Sequence, residues 1–136
     1  MILADTGPIV AILDVGDAYH RECLATMRDI SAEPLITTWV CFTEAMYLLG
    51  SAGGHRYQSA LWDFYFKKHL ILHDLLTDEA DRMAELMAKY HDTPMDMGDA
   101  SLVVVAESLS LRRIFTLDSD FQVYRLADGS SLEIIP

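Results

Sequence analysis

The feature that most restricts this fold is a series of short apolar runs set between longer stretches of helical periodicity. The runs are "MILA" (1–4), "LITT" (35–38), "LILH" (70–73), "RIFTL" (113–117) and "LEII" (132–135). Such lengths are too short for helices and fit buried strands. Between them, Gly7-Pro8 opens a helix with proline in its first turn, where the missing N–H costs nothing. Residues 17–30 read as a second helix with Leu24, Met27 and Ile30 facing inward, and residues 39–50 as a third that Gly50 ends. "GSAGGH" (50–55) reads as a turn, followed by a helix over 55–68. Residues 78–90 carry Ala80, Met83, Ala84 and Met87 at helical spacing. Pro94 closes that segment, and a last helix runs from about Asp96 to Leu109. Strands alternating with helices predict an α/β fold: a single domain over 1–136 with a parallel sheet covered on both faces. Ligands in such folds bind beyond the carboxyl ends of the strands, where the strand order reverses.

Acidic residues fall on that rim. Asp5 ends the first strand in "ILADTG", and Asp118 ends a later one in "IFTLDSD". Asp96 and Asp99 open the helix that leads into the Asp118 strand, and Glu44 lies one or two turns into the helix after "LITT". Taken singly, each has a plainer reading. Asp5 fits a turn before Pro8. Asp96 and Asp99 fit the N-cap and N3 positions of a helix. Glu44 fits an exposed helix edge, and Asp118 and Asp120 fit a turn before "FQVYR". Their convergence is what the plain readings leave unexplained. Two carboxylates about 6 Å apart repel by roughly 3 kcal/mol at an effective dielectric near 20, whereas a cap contributes only about 1 kcal/mol. A divalent cation removes the repulsion, and a set of oxygen ligands selects a hard ion such as Mg²⁺ or Mn²⁺.

The charge balance bears on the partner. Ten basic residues face 21 acidic ones, a net charge of −11, which is the wrong sign for holding nucleic acid by phosphate contacts alone. The two cysteines, Cys23 and Cys41, form no close pair, so a reducing cytoplasm is the expected setting. The apolar start "MILADTGPIVAIL" is interrupted by Asp5 and has no basic segment ahead of it, so it is not read as a signal peptide. No stretch approaches the length of a membrane span.

The motifs "ADTGPIVAIL", "TTWVCFTEAMYLL" and "PMDMGDASLVVVAESL…RRIFTLDSDFQVYR" together span nearly the whole domain, from its first strand to its last third. In their order and spacing the chain resembles the PIN-domain ribonucleases of the VapC type, the toxin halves of bacterial toxin–antitoxin pairs. The resemblance implies a PIN-like, Rossmann-like parallel sheet flanked by helices. It places the family's catalytic, metal-binding acids on Asp5, Glu44, Asp99 and Asp118. Asp5 and Asp99 are expected to ligate the ion directly, with Glu44 and Asp118 completing the cage through water or orienting the attacking one. Thr6 and Thr116 match hydroxyl positions near that site, while Asp96 and Asp120 are carried only as caps or supports for the ligands. Gly98 stands where relatives often have alanine. The implied chemistry is Mg²⁺-dependent hydrolysis of RNA phosphodiesters to 5′-phosphate and 3′-hydroxyl ends, with Mn²⁺ as substitute. The implied inhibitor is a cognate antitoxin whose basic segment reaches the acidic pocket.

Given the charge, the expected substrate is a structured RNA whose shape fits, with Lys67-Lys68, Arg112-Arg113 or Arg125 touching phosphates. Trp62, Phe64, Tyr65 and Phe66 in "YQSALWDFYFKK" offer more aromatic surface than one helix face buries. Part is expected in the core and part in an antitoxin groove or a homodimer contact. No Ser/His/Asp or Cys/His set competes for the chemistry, and His69 and His73 lie too far apart along a strand to chelate. A phosphoacceptor signalling domain would use Asp74 after "LILH", but it needs an acidic pair where Asp5-Thr6 stands and a lysine where Thr116-Leu117-Asp118 stands. A haloacid-dehalogenase-type phosphatase needs an acid at Gly7. A PIN-fold module that binds RNA or a partner without cleaving is the remaining alternative, and the presence of all four acids weighs against it.

Overall fold

A computed structural model describes all 136 residues. Five strands form one parallel sheet: β1 (Ile2–Ala4), β2 (Leu35–Thr38), β3 (Leu70–His73), β4 (Arg113–Phe115) and β5 (Glu133–Ile135), in the order β3-β2-β1-β4-β5. Six α-helices flank it: α1 (Thr6–Leu13), α2 (His20–Asp29), α3 (Trp39–Gly53), α4 (His55–Phe66), α5 (Thr77–Lys89) and α6 (Met97–Leu109). A 3₁₀ turn, Ser119–Gln122, follows β4. The chain builds outward from β1 to β3 and then returns to the other side of β1, so the strand order reverses between β1 and β4. The α/β expectation, a parallel sheet between helical layers, holds.

Strand alternation sorts the side chains into two cores. Leu3, Ile36 and Ile114 pack with Met83, Leu86, Leu102 and Val105 of α5 and α6. Ile2, Ala4, Leu35 and Phe115 pack with Ile9, Phe42, Leu49 and Leu61 of α1, α3 and α4. With both faces covered, the strands read as unbroken apolar runs. In α6 every residue from Gly98 to Ala106 is buried; the run Leu102–Ala106 is apolar all round and so enclosed on all sides, while Asp99 and Ser101 at its start are hydrogen-bonded.

Some boundaries and faces differ from those expected. The second helix begins only at His20, after a loop in which Asp14 and Asp17 carboxylates accept the Gly16 and Tyr19 N–H groups. It buries Cys23 and Thr26, leaving Leu24, Met27 and Ile30 half-buried against the core. The third helix runs through Gly50 and stops before Gly54, whose φ of 69° and ψ of −155° suit only glycine. Gly50 instead receives the Gln58 side chain: a Cβ there would lie 2.6 Å from the Gln58 amide nitrogen. On α5 the buried face is Glu79, Met83 and Leu86, while Ala80 and Ala84 are exposed. Glu79 tolerates burial because its carboxylate accepts from the Leu76 N–H, the Ser108 hydroxyl and His73 Nε2. Strand β4 stops at Phe115 rather than Leu117, although the Thr116 N–H still bonds the Ile135 carbonyl at 3.1 Å. No helix is long and apolar enough to cross a membrane.

Candidate metal centre

The site is assembled where β1 and β4 end side by side. Asp5 follows β1 and caps α1, its Oδ1 accepting the Thr6 N–H at 2.8 Å. Its Oδ2 accepts the Thr116 hydroxyl at 2.8 Å. Thr116 Oγ1 in turn accepts the Asp118 N–H at 3.0 Å, so one threonine ties an Asp5 oxygen to the backbone of Asp118. Asp118 Oδ1 accepts the Asp120 N–H at 2.9 Å and caps the 3₁₀ turn. Asp120 thus contributes through its backbone.

From the opposite side, α6 starts with Asp96 as its N-cap, Oδ1 accepting the Asp99 N–H at 2.8 Å. The capping reading of Asp96 is therefore realised, and its carboxylate also lines the cavity. Asp99 lies on the buried side of that turn, 7% exposed, with Oδ2 accepting the Tyr124 hydroxyl at 2.8 Å. The starts of α3 and α6 are locked by a buried hydroxyl pair, Thr38 and Ser101, at 2.8 Å, and by the Cys41 thiol on the Gly98 carbonyl at 3.7 Å.

One oxygen from each of Asp5, Asp99 and Asp118 lies within 4.8 Å of the others. Glu44 stands outside this trio on the exposed side of α3, its Oε2 3.3 Å from the Thr6 hydroxyl. It forms a wall of the same cavity, about 190 Å³, into which five carboxyl-bearing residues open. No Lys, Arg or His side chain lines that space. Burial, with smaller contributions from Asp118 and Asp96, pushes Asp5 up to about 6 against the hydrogen bonds from Thr116 and Thr6. Burial again comes first for Asp99, joined by Asp96, Asp5 and Asp118; it pushes that carboxyl up to about 7 against the Tyr124 hydrogen bond. Acids that repel, one of them buried and two half-buried, with no cationic side chain among them, are short of a positive charge. The donors are all oxygen, which fits a hard divalent cation such as Mg²⁺ or Mn²⁺.

The family model of the PIN domain matches residues 2–126. The chain belongs to the PIN domain family. Among PIN relatives it is similar to Ribonuclease VapC26 of Mycobacterium tuberculosis (strain ATCC 25618 / H37Rv), at 27% identity over 139 residues, covering 99% of this chain and 100% of that protein. Its fold matches the crystal structure of the M. tuberculosis VapC20 sarcin–ricin-loop-cleaving toxin with a TM-score of 0.82 at 20% identity, each chain covered in full. A toxin–antitoxin complex from Klebsiella pneumoniae matches with a TM-score of 0.63 at 22% identity, over 89% of this chain and 90% of that one. Rickettsia felis VapBC2, bound to a DNA fragment from its promoter, matches with a TM-score of 0.67 at 14% identity over the whole of both chains. The VapC-type resemblance read from the motifs thus agrees with the PIN assignment.

Other expected residues fall elsewhere in the PIN fold. Lys67-Lys68 precede β3 and Arg112-Arg113 open or adjoin β4, so both doublets lie at the strand-start rim, away from the acids. Arg112 bonds Asp128 and Ser130, Arg113 bonds Glu33, and Arg125 is spent on the carbonyls of Gln122, Val123 and Tyr124. Asp74, weighed as a phosphoacceptor, accepts the Trp39 indole N–H at 2.8 Å and is not among the residues lining the acidic cavity. Phe64 is buried, whereas Trp62 and Phe66 are exposed and stack at 5.9 Å. The residue that the sequence did not single out is Tyr124. The signal was faint: a buried tyrosine needs a partner for its hydroxyl, but nothing in the spacing says which.

Proposed function

We propose that this chain is a divalent-metal-dependent endoribonuclease of the VapC type, the toxin of a toxin–antitoxin pair. The observation that carries the proposal is the trio Asp5, Asp99 and Asp118, brought from three separated segments to within 4.8 Å with no cationic side chain among them. Membership of the PIN family and similarity to a protein named as a VapC ribonuclease support it.

In this reading Asp5, Asp99 and Asp118 hold the ion, and Glu44, across the cavity, holds or orients the attacking water. A bound Mg²⁺ supplies a more acidic water and offsets charge on the phosphoryl oxygens. The chain's own residues set the geometry. Thr116 fixes Asp5 Oδ2 and the backbone of Asp118 together, and the Thr6 N–H fixes Asp5 Oδ1. The Thr6 hydroxyl steadies Glu44, and the Asp120 N–H holds Asp118 Oδ1. The substrate is a structured RNA, since a chain of net charge −11 gains little from unstructured phosphate chains. Such a substrate places the protein in the cytoplasm. The antitoxin presents a basic segment to the acidic cavity and covers the exposed aromatic side chains of α3 and α4, among them Trp39, Tyr47 and Trp62. The likeness in fold to a toxin–antitoxin complex and to the DNA-bound VapBC2 supports such a partner.

The test is cleavage of a panel of structured RNAs with Mg²⁺, with EDTA, and by Asp5→Asn. The proposal expects 5′-phosphate products with Mg²⁺ and background cleavage in the other two. Cleavage that persists in EDTA or in Asp5→Asn points to a contaminating or metal-independent activity and rejects it.

A further inference from the structure

The Tyr124 hydroxyl is the group that holds the most buried acid of the cluster, and nothing about the core requires that hydroxyl. The ring is 2% exposed and clamped by edge-on contacts to Tyr90 and Phe121, each with centroids 5.1 Å apart. Phenylalanine would fill the same space. The oxygen is needed only by Asp99, whose Oδ2 it meets at 2.8 Å. The other hydroxyl of this aromatic pair serves the backbone and meets no acid of the cluster: the Arg125 N–H donates to the Tyr90 hydroxyl at 2.9 Å. The same segment begins at Asp118, so one stretch of chain supplies one acid of the trio and reaches across to orient another.

We infer that Tyr124 is a positioning residue for the candidate metal centre, its hydroxyl holding the Asp99 carboxylate in place against the repulsion of Asp5, Asp96 and Asp118. The inference rests on reading the cluster as a cation site. Without the hydroxyl, Asp99 is free to rotate away from its like-charged neighbours, and a cation must then draw it back at the expense of affinity. Hydrogen-bond partners of metal ligands typically contribute about 10–100-fold in affinity through such orientation.

Calorimetric titration with Mn²⁺ of the wild-type chain, Tyr124→Phe and Tyr90→Phe tests this, with metal-free melting curves for each. Tyr90→Phe removes a hydroxyl from the same aromatic cluster without touching Asp99. The expected result is a loss of about 10–100-fold in Mn²⁺ affinity for Tyr124→Phe and near wild-type affinity for Tyr90→Phe. Unchanged affinity in Tyr124→Phe overturns the inference while leaving the metal site standing. Equal losses in both variants, with matching drops in melting temperature, also overturn it, since the effect is then a general loosening. Failure of the wild type to bind Mn²⁺ removes the cation site itself, and the inference with it.

Discussion

In the metal-free chain Asp5 and Asp99 are held in surroundings that disfavour their charged forms. Burial, reinforced by neighbouring acids, raises both above the ordinary carboxylate range, to about 6 and about 7. Between their ordinary value and these raised ones the folded chain binds more protons than the unfolded one. Stability contributed by the protonated forms is therefore full at low pH and is lost as pH rises through that window. Metal-free protein should melt at a lower temperature at pH 8 than at pH 5, and saturating Mn²⁺ should narrow the gap. The groups held low act below this window: Glu79, where hydrogen bonds from Leu76, Ser108 and His73 outweigh burial, and Asp128, held by Ser130 and Arg112. Asp99→Asn should flatten the profile and stabilise the metal-free chain at pH 8 by about 1–2 kcal/mol, read from urea unfolding. A steeper profile in that variant would contradict the assignment of the shift. Asp5 and Asp118 were legible in the sequence because each ends an apolar run just where a turn must begin. The tie between Tyr124 and Asp99 was not, because a hydrogen bond across 25 residues exists only once the chain has folded.

Elements show the same division. The extent of α6, from about Asp96 to Leu109, was legible because Asp96 announced its start as a cap. The end of α3 was misplaced because Gly50 looks like a terminator, although an interior glycine costs a helix only about 1 kcal/mol relative to alanine. The stop is Gly54, whose backbone lies where side-chain-bearing residues are strained. Gly54→Ala should therefore destabilise by about 1–3 kcal/mol in urea unfolding. Gly50→Ala should cost much less, since the Gln58 amide that its Cβ would meet is the mobile end of a side chain. Equal costs would mean that the connection between α3 and α4 is not set by Gly54. The α5 face was misread for a different reason: hydrophobic spacing favours Ala80 and Ala84, whereas Glu79 is buried by three donors that lie on other elements or in the preceding loop.

Over the whole molecule, the acidic cavity and the two basic doublets lie at opposite ends of the strands. The candidate site lies at the carboxyl ends of the strands, while Lys67-Lys68 and Arg112-Arg113 lie at their starts. The motif spacing could not show this, because rim assignment depends on where each strand begins. RNA held near the acids would meet these doublets only by extending past the edge of the molecule. Lys67→Ala/Lys68→Ala should accordingly leave the cleavage rate of bound substrate unchanged, whatever it does to affinity; a fall in kcat would contradict this placement. The central claim is that the acids gathered at the β1–β4 junction form a cation site. The most direct measurement is calorimetric Mn²⁺ titration of the wild-type chain, Asp99→Asn and the exposed control Asp78→Asn. Saturable binding by wild type and control, lost in Asp99→Asn, is the predicted result; equal, weak binding by all three would contradict the claim and return Asp96 and Asp99 to the capping of a helix.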